Sequence, residues 1–393
     1  MIGAGVFAAF GPAARAAGAG LLLGLGIAAV IAYCNAVASA QLAAAYPTSG
    51  GTYIYGRERL GEWWGFAAGW AFVIGKTASC AAMALTFASY AVPGPWWAQR
   101  PAGVAAVLAL AGLNYRGVSK TAALTRALVA ATLIALAVVV VGIWVGGQAS
   151  VDDLHGWASL SAGGVHGILQ AAGLLFFAFA GYARIATMGE EVRDPQRIIP
   201  RAIPAALGIT VVLYAVVALS ALSAGGPDVL AHASSPLAAA VQSAGASGVA
   251  PIVRIGGAVA SLGALLALIA GVGRTSLAMA RNGDLPGWLA AVHPRFRVPH
   301  HAELALAVVV SVLVLTTDLR GVIGFSSFGV LLYYAIANSS AFTQPREHRR
   351  WPRALNVLGA AGCVVLALSL PAASLAAGAA VLASGLAGRL LLR

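Results

Sequence analysis

Apolar runs of membrane-spanning length recur along the chain, and this repetition limits the possible folds more than any other feature. A helix needs about 20 mainly apolar residues to cross the hydrocarbon core of a bilayer. Such runs follow one another almost to the last residue, for example at 64–92, 253–279 and 322–342. The ten-residue alternating segments typical of a transmembrane β-barrel are absent from the sequence. The sequence therefore predicts an all-α polytopic membrane protein with about twelve transmembrane helices.

Composition and charge support one transmembrane domain over residues 1–393. The chain is 60% hydrophobic and 9% charged, whereas soluble domains carry about 25% charged residues. If the loop after the second span is cytoplasmic, about sixteen basic residues lie on that side and roughly four on the other, as the positive-inside rule expects. This asymmetry predicts a multi-pass protein of the cytoplasmic membrane with both termini in the cytoplasm. The net charge of +12 then reflects attraction to the lipid bilayer, and no nucleic-acid partner is expected.

The most unusual span lies within residues 174–204, LLFFAFAGYARIATMGEEVRDPQRIIPRAIP. Its aromatic run reaches Gly181, and the charged residues Arg184, Glu190 and Glu191 follow. It can be an ordinary span that ends two residues after Gly181 and continues as a solvated loop. We favour a helix interrupted at mid-membrane, because a charge at membrane depth costs several kcal/mol. The freed backbone groups of such a helix would face a cavity instead of lipid.

The first residues, MIGAGVF, form a second glycine-rich break. Gly3 and Gly5 bracket Ala4, which loosens a helix and exposes backbone amides. One interpretation is close helix packing through small residues. The other is the second half of a broken helix, so that the first transmembrane helix is truncated in this chain.

No residue pattern indicates a catalytic, metal or cofactor site. The three cysteines Cys34, Cys80 and Cys363 lie in apolar stretches without metal-ligand spacing, which predicts reduced core residues. His, Asp and Glu do not cluster at membrane depth, which disfavours a membrane enzyme. A non-transporting sensor or channel is a further alternative, although a sensor usually carries a soluble output domain.

Four segments together resemble the amino acid–polyamine–organocation (APC) transporter superfamily, of the amino acid permease type. They are IGAGVF at 2–7, YPTSGGTYIYGRERLGEWWGFAAGW at 46–70, FFAFAGY with GEEVRDPQRIIPRAI from 176 onward, and MARNGDLP at 279–286. The order and spacing of these segments extend the resemblance over almost the whole chain.

The resemblance implies a five-plus-five inverted repeat with helices 1 and 6 broken at the bilayer centre. The first repeat would cover residues 1–145, the second 167–342, and two additional helices 355–392. It also implies an amino acid substrate, whose carboxylate would meet backbone amides around Gly3, Ala4 and Gly5. The substrate ammonium would meet carbonyls freed at the breaks, with Gly181 supplying backbone freedom. The residues implied for the ammonium end are Ile2, Phe177, Ala178, Phe179 and Ala180.

The chain departs from the family in its charged residues. Several relatives carry a lysine in the fifth helix, where this chain has about Thr132, and Lys76 lies in the third helix instead. A buried lysine can lose its proton and couple transport to protons. The alternative, which we favour, is that the aliphatic stem of Lys76 reaches toward the membrane interface, or that backbone carbonyls bind its ammonium. Arg184 could pair with Glu190 or Glu191, and we favour a structural role of these three residues at the inner gate over a direct role in substrate binding.

The predicted spans contain no Asp or Glu at their centres, which favours a neutral amino acid over lysine, arginine and polyamines. An anionic substrate is an alternative if Lys76 faces the site. The predicted function is secondary active transport by alternating access, as a proton symporter or an exchanger. Sodium coupling through hydroxyls such as Thr132 or Ser261 stays open, as does the oligomeric state.

Overall fold

The computed structural model describes residues 2–47, 50–117, 122–150, 163–182 and 194–392. Every regular element in these ranges is helical. The α-helices in chain order are α1 (Gly5–Ala17), α2 (Leu21–Ala45), α3 (Thr52–Leu60), α4 (Glu62–Ala91), α5 (Trp96–Tyr115), α6 (Ala122–Val145), α7 (Gly164–Phe179), α8 (Pro195–His232), α9 (Pro236–Ser243), α10 (Ala250–Arg281), α11 (His300–Thr316), α12 (Leu319–Phe342), α13 (Arg353–Leu368) and α14 (Ala372–Leu392).

The predicted all-α membrane fold is confirmed. Within the described ranges, 7 helical segments are long and apolar enough to cross a membrane, the first of them running through α1 and α2. The helices α7, α11 and α13 are shorter but also apolar. Where a helix is shorter than the hydrocarbon core, its end groups need partners in the protein or in water, because lipid offers none to free backbone groups.

The segment after α2, which the sequence analysis treated as the loop after the second span, contains a helix. Its residues Thr52–Leu60 form the helix α3, and the tyrosines Tyr53 and Tyr55 of this helix are fully buried. The φ angles of Gly50 and Gly51 are 120° and 57°, which glycine adopts without a steric penalty. Gly61, with a φ angle of 103°, turns the chain between α3 and α4, which pack against each other.

Small residues bring the central helices close together. The helix α4 packs against α10 and α12, α2 packs against α7 and α8, and α1 packs against α7. At Gly75 in α4, an added Cβ atom would lie 3.2 Å from the Cα atom of Gly329 in α12. Such contacts are typical of membrane helices, which associate through close packing instead of hydrophobic burial. Cys34, Cys80 and Cys363 are buried free thiols, as predicted.

Candidate functional site

The helix α7 ends inside the protein. Its last residue, Phe179, is fully buried, and Ala180–Tyr182 follow as one turn of 3₁₀ helix. At 16 residues, α7 is about 24 Å long, which is shorter than the hydrocarbon core of about 30 Å. The predicted end of regular helix near Gly181 is therefore present. Residues 183–193, which include Arg184, Glu190 and Glu191, lie outside the described residues.

Two side chains from other helices bind the carbonyls at this end of α7. The Tyr214 hydroxyl of α8 donates to the Ala178 oxygen at 3.3 Å. The Lys76 ammonium of α4 donates to the Ala180 oxygen at 3.2 Å. A buried helix end needs such partners, because its last carbonyls have none within the helix. Two of the carbonyls that sequence analysis assigned to a substrate ammonium, those of Ala178 and Ala180, thus accept hydrogen bonds from polar side chains of other helices.

The beginning of α1 lies beside this helix end. Ala4 precedes the helix and is fully buried, and no side chain of the described residues caps it. An added Cβ atom at Gly5 would lie 2.7 Å from the Cα atom of Ala178. The close-packing interpretation of Gly5 therefore has structural support. Gly3 has more room, since its nearest neighbour would be the Ala264 Cβ atom at 3.9 Å.

Tyr214 connects the two breaks. Its hydroxyl has the backbone of Gly3 as a hydrogen-bond partner in addition to Ala178, and its ring lies 5.3 Å from that of Phe179. Sequence analysis missed this residue. The available signal was a tyrosine inside the apolar run VVLYAVV, because a buried tyrosine hydroxyl usually needs a hydrogen-bond partner.

The remaining predicted residues occupy different environments. Phe177 and Ile2 are half-buried, whereas Gly181 is exposed. The Thr132 hydroxyl donates to Leu128 of its own helix at 2.8 Å. This hydrogen bond stays within α6 and does not reach the two breaks. The coupling roles proposed for Thr132 and for Arg184, Glu190 and Glu191 stay predictions.

A second polar group of residues lies at the end of the molecule where α3, α10 and α14 meet. Asp284, which follows α10, has a fully buried side chain. Its oxygens lie 2.8 Å from Arg57 Nη1 and 3.0 Å from Arg389 Nη2, and one accepts from the Tyr53 hydroxyl at 2.7 Å. The exposed carboxylate of Glu62 lies 3.4 Å from Arg57 and 3.7 Å from Arg389. We call these five residues the Asp284 network.

The Asp284 network was not predicted, although its residues lie in two of the family-like segments and in the last helix. Burial, together with the hydrogen bond to Asp284, raises the pKa of Tyr53 to about 12. Tyr53 therefore stays protonated and donates at neutral pH. The network joins α3, the segment after α10, and α14, which are distant in sequence.

The amino acid permease family model matches residues 1–386. The chain belongs to the amino acid permease family. It is a multi-pass membrane transporter of the APC superfamily and not an enzyme.

Related proteins of this family cover most of the chain. An uncharacterized transporter of Mycobacterium tuberculosis is 59% identical over 98% of this chain and 87% of its own length. A branched-chain amino acid permease of Bacillus subtilis is 26% identical over 91% of this chain and 81% of its own length. The chloroplastic cationic amino acid transporter 7 of Arabidopsis thaliana is 30% identical over 87% of this chain and 62% of its own length.

Proposed function

We propose that this permease carries neutral amino acids across the cytoplasmic membrane by alternating access, as a proton symporter or an exchanger. The observation that carries the proposal is the meeting of two helix ends in the interior. The buried beginning of α1 at Ala4 and the buried end of α7 at Phe179 lie side by side. Amino acids are zwitterions, so one end suits the substrate carboxylate and the other suits its ammonium.

The carboxylate would bind the amides near Gly3, Ala4 and Gly5, because the first N–H groups of a helix have no partner within it. The ammonium would bind the carbonyls between Phe177 and Ala180. Phe179 and the half-buried Phe177 would pack on the substrate side chain, and Gly181 would allow the backbone to adjust. This division of roles needs both breaks to act together.

The charges near the two breaks support a neutral substrate. Lys76 is the charged side chain that the described residues place at the end of α7, and it would repel a cationic substrate side chain. The Bacillus relative named for branched-chain amino acids agrees with this choice. The Arabidopsis relative is named for cationic amino acids, so arginine and lysine belong in any substrate panel.

For topology, we infer an inverted repeat of residues 1–145 and 167–342, with residues 355–392 added. Both termini would lie in the cytoplasm, and the Asp284 network would hold that side closed. The basic residues Arg57 and Arg389 at this end agree with the positive-inside rule.

Uptake into proteoliposomes tests the proposal. The full chain would be reconstituted and offered labelled glycine, alanine, valine, leucine, phenylalanine, arginine, lysine and glutamate. We expect saturable uptake of at least one neutral amino acid and little uptake of arginine or lysine. Binding without uptake would favour a sensor. Preferred uptake of arginine or lysine would contradict the neutral assignment, and no uptake or binding of any member would contradict amino acid transport.

A further inference from the structure

Lys76 occupies a position that the substrate itself would need. It lies at the middle of α4 and is only 7% exposed. Its ammonium donates to the Ala180 oxygen, which is one of the carbonyls proposed to hold the substrate ammonium. An ammonium is a compact charge with three donors and no acceptor. The Ala180 carbonyl therefore binds the same chemical group that an amino acid substrate would bring.

The surroundings of Lys76 leave this carbonyl as its main partner. Within the described residues, no carboxylate forms an ion pair with Lys76. The helices α10 and α12 pack most extensively on α4. Among the described residues, no charged side chain of these two helices forms a hydrogen bond with Lys76. Cys80, one turn further along α4, is the titratable group that acts on it electrostatically. The neighbouring Ala178 carbonyl is taken by Tyr214.

We propose that Lys76 is a specificity-determining residue whose ammonium takes the place of the substrate ammonium at the Ala180 carbonyl when the site is empty. This inference rests on the proposed amino acid site. A zwitterionic substrate must displace the Lys76 ammonium or bind when Lys76 is neutral. The substrate and the proton on Lys76 therefore weaken each other's binding, because coupling between two ligands is reciprocal.

The sign of this coupling separates two mechanisms that the proposed function leaves open. Proton symport needs a substrate and a proton that favour each other. Competition at Ala180 gives the opposite sign, which fits exchange of substrates or of substrate for proton. If Lys76 instead paired with the substrate carboxylate, protonation would strengthen binding.

The experiment measures equilibrium binding to the full-length protein in lipid nanodiscs at pH 6.0 and pH 8.5. The probe is the neutral amino acid that gives the highest uptake in the panel above. In the wild type we expect the Kd to fall at least about fivefold from the lower to the higher pH, the lower end of common coupling factors. Lys76→Met should bind at least about fivefold more tightly than the wild type at pH 6.0 and lose the pH dependence.

Two further variants control the result. Lys76→Arg keeps a permanent charge and should bind weakly at both pH values, which preserves the test if Lys76→Met does not fold. Thr77→Val removes a hydroxyl that donates to Val73 within α4 and should keep the wild-type pH dependence. Thermal unfolding verifies that each variant is folded.

The following outcomes would overturn the inference. Tighter wild-type binding at pH 6.0, or no change with pH, contradicts competition at Ala180. Weaker binding by folded Lys76→Met shows that Lys76 assists the substrate. In both cases the amino acid site stands, because binding is observed. Absence of binding in the wild type and in every variant overturns the proposed function together with this inference.

Discussion

Replacement of Asp284 by asparagine tests whether its network stabilises the closed end of the molecule. Asp284→Asn keeps the size of the side chain but removes the charge shared by Arg57 and Arg389. Both guanidinium groups lie within 3.0 Å of the carboxylate, and the Arg389 side chain is only 2% exposed. Loss of one partner of a buried ion pair costs about 3–5 kcal/mol, since a charge is left buried without compensation.

Partial exposure of Arg57 and the nearby carboxylate of Glu62 make the expected loss of stability smaller. The Arg57 side chain is 21% exposed, and Glu62 lies 3.4 Å from it and 3.7 Å from Arg389. Glu62 is half exposed, so its compensation is screened by water. We therefore expect the free energy of unfolding to fall by about 2–4 kcal/mol, measured by equilibrium denaturation in mixed detergent micelles.

Asp318→Asn is the matched control for this prediction. Asp318 precedes α12 and accepts a hydrogen bond from the Arg320 backbone amide. Asparagine caps a helix about as well as aspartate, so this variant should change stability by less than about 0.5 kcal/mol. An equally small effect of Asp284→Asn would refute the argument that the buried carboxylate balances two arginines.

Three further predictions concern the helix breaks and the network. Gly5→Ala places a Cβ atom 2.7 Å from the Ala178 Cα atom and should reduce stability by about 1–3 kcal/mol. Gly26→Ala is its control and should not destabilise, since an added Cβ atom meets nothing within 4 Å. Tyr214→Phe leaves the Ala178 carbonyl without its donor and should cost about 0.5–1.5 kcal/mol; an unchanged denaturation curve would contradict this. Because the pKa of Tyr53 is raised to about 12, the unfolded state loses this proton first, and stability should fall as pH rises from about 10 to about 12. Tyr53→Phe should reduce that fall, and an identical pH profile would argue against the hydrogen bond to Asp284.

The breaks could be predicted because their residues carry local signals. Gly181 after an aromatic run indicated the end of regular helix near Phe179, and Gly3 and Gly5 indicated a loose beginning of α1. Glycine frees the backbone through its own chemistry, without help from distant residues. Both segments resemble segments of a known transporter family. This resemblance added the expectation that the two breaks act together.

The partners of these breaks depend on tertiary packing and could not be read from local sequence. Lys76 lies 104 positions before Ala180, and Asp284 joins Arg57 and Arg389 across most of the chain. The burial of Tyr53 was missed for the same reason. Its segment is polar enough to be a loop, but α3 packs it against α4 and beside Asp284.

Recognition of both ends of the substrate is the central claim, and analogues that lack one charge test it most directly. Binding of the best neutral amino acid would be compared with that of its methyl ester and its N-acetyl derivative. The ester lacks the carboxylate and the N-acetyl compound lacks the ammonium. Each charge-assisted hydrogen bond contributes about 1.5–3 kcal/mol, so each analogue should bind at least about tenfold more weakly. Binding of either analogue with the affinity of the parent amino acid would contradict a site built from the two helix ends.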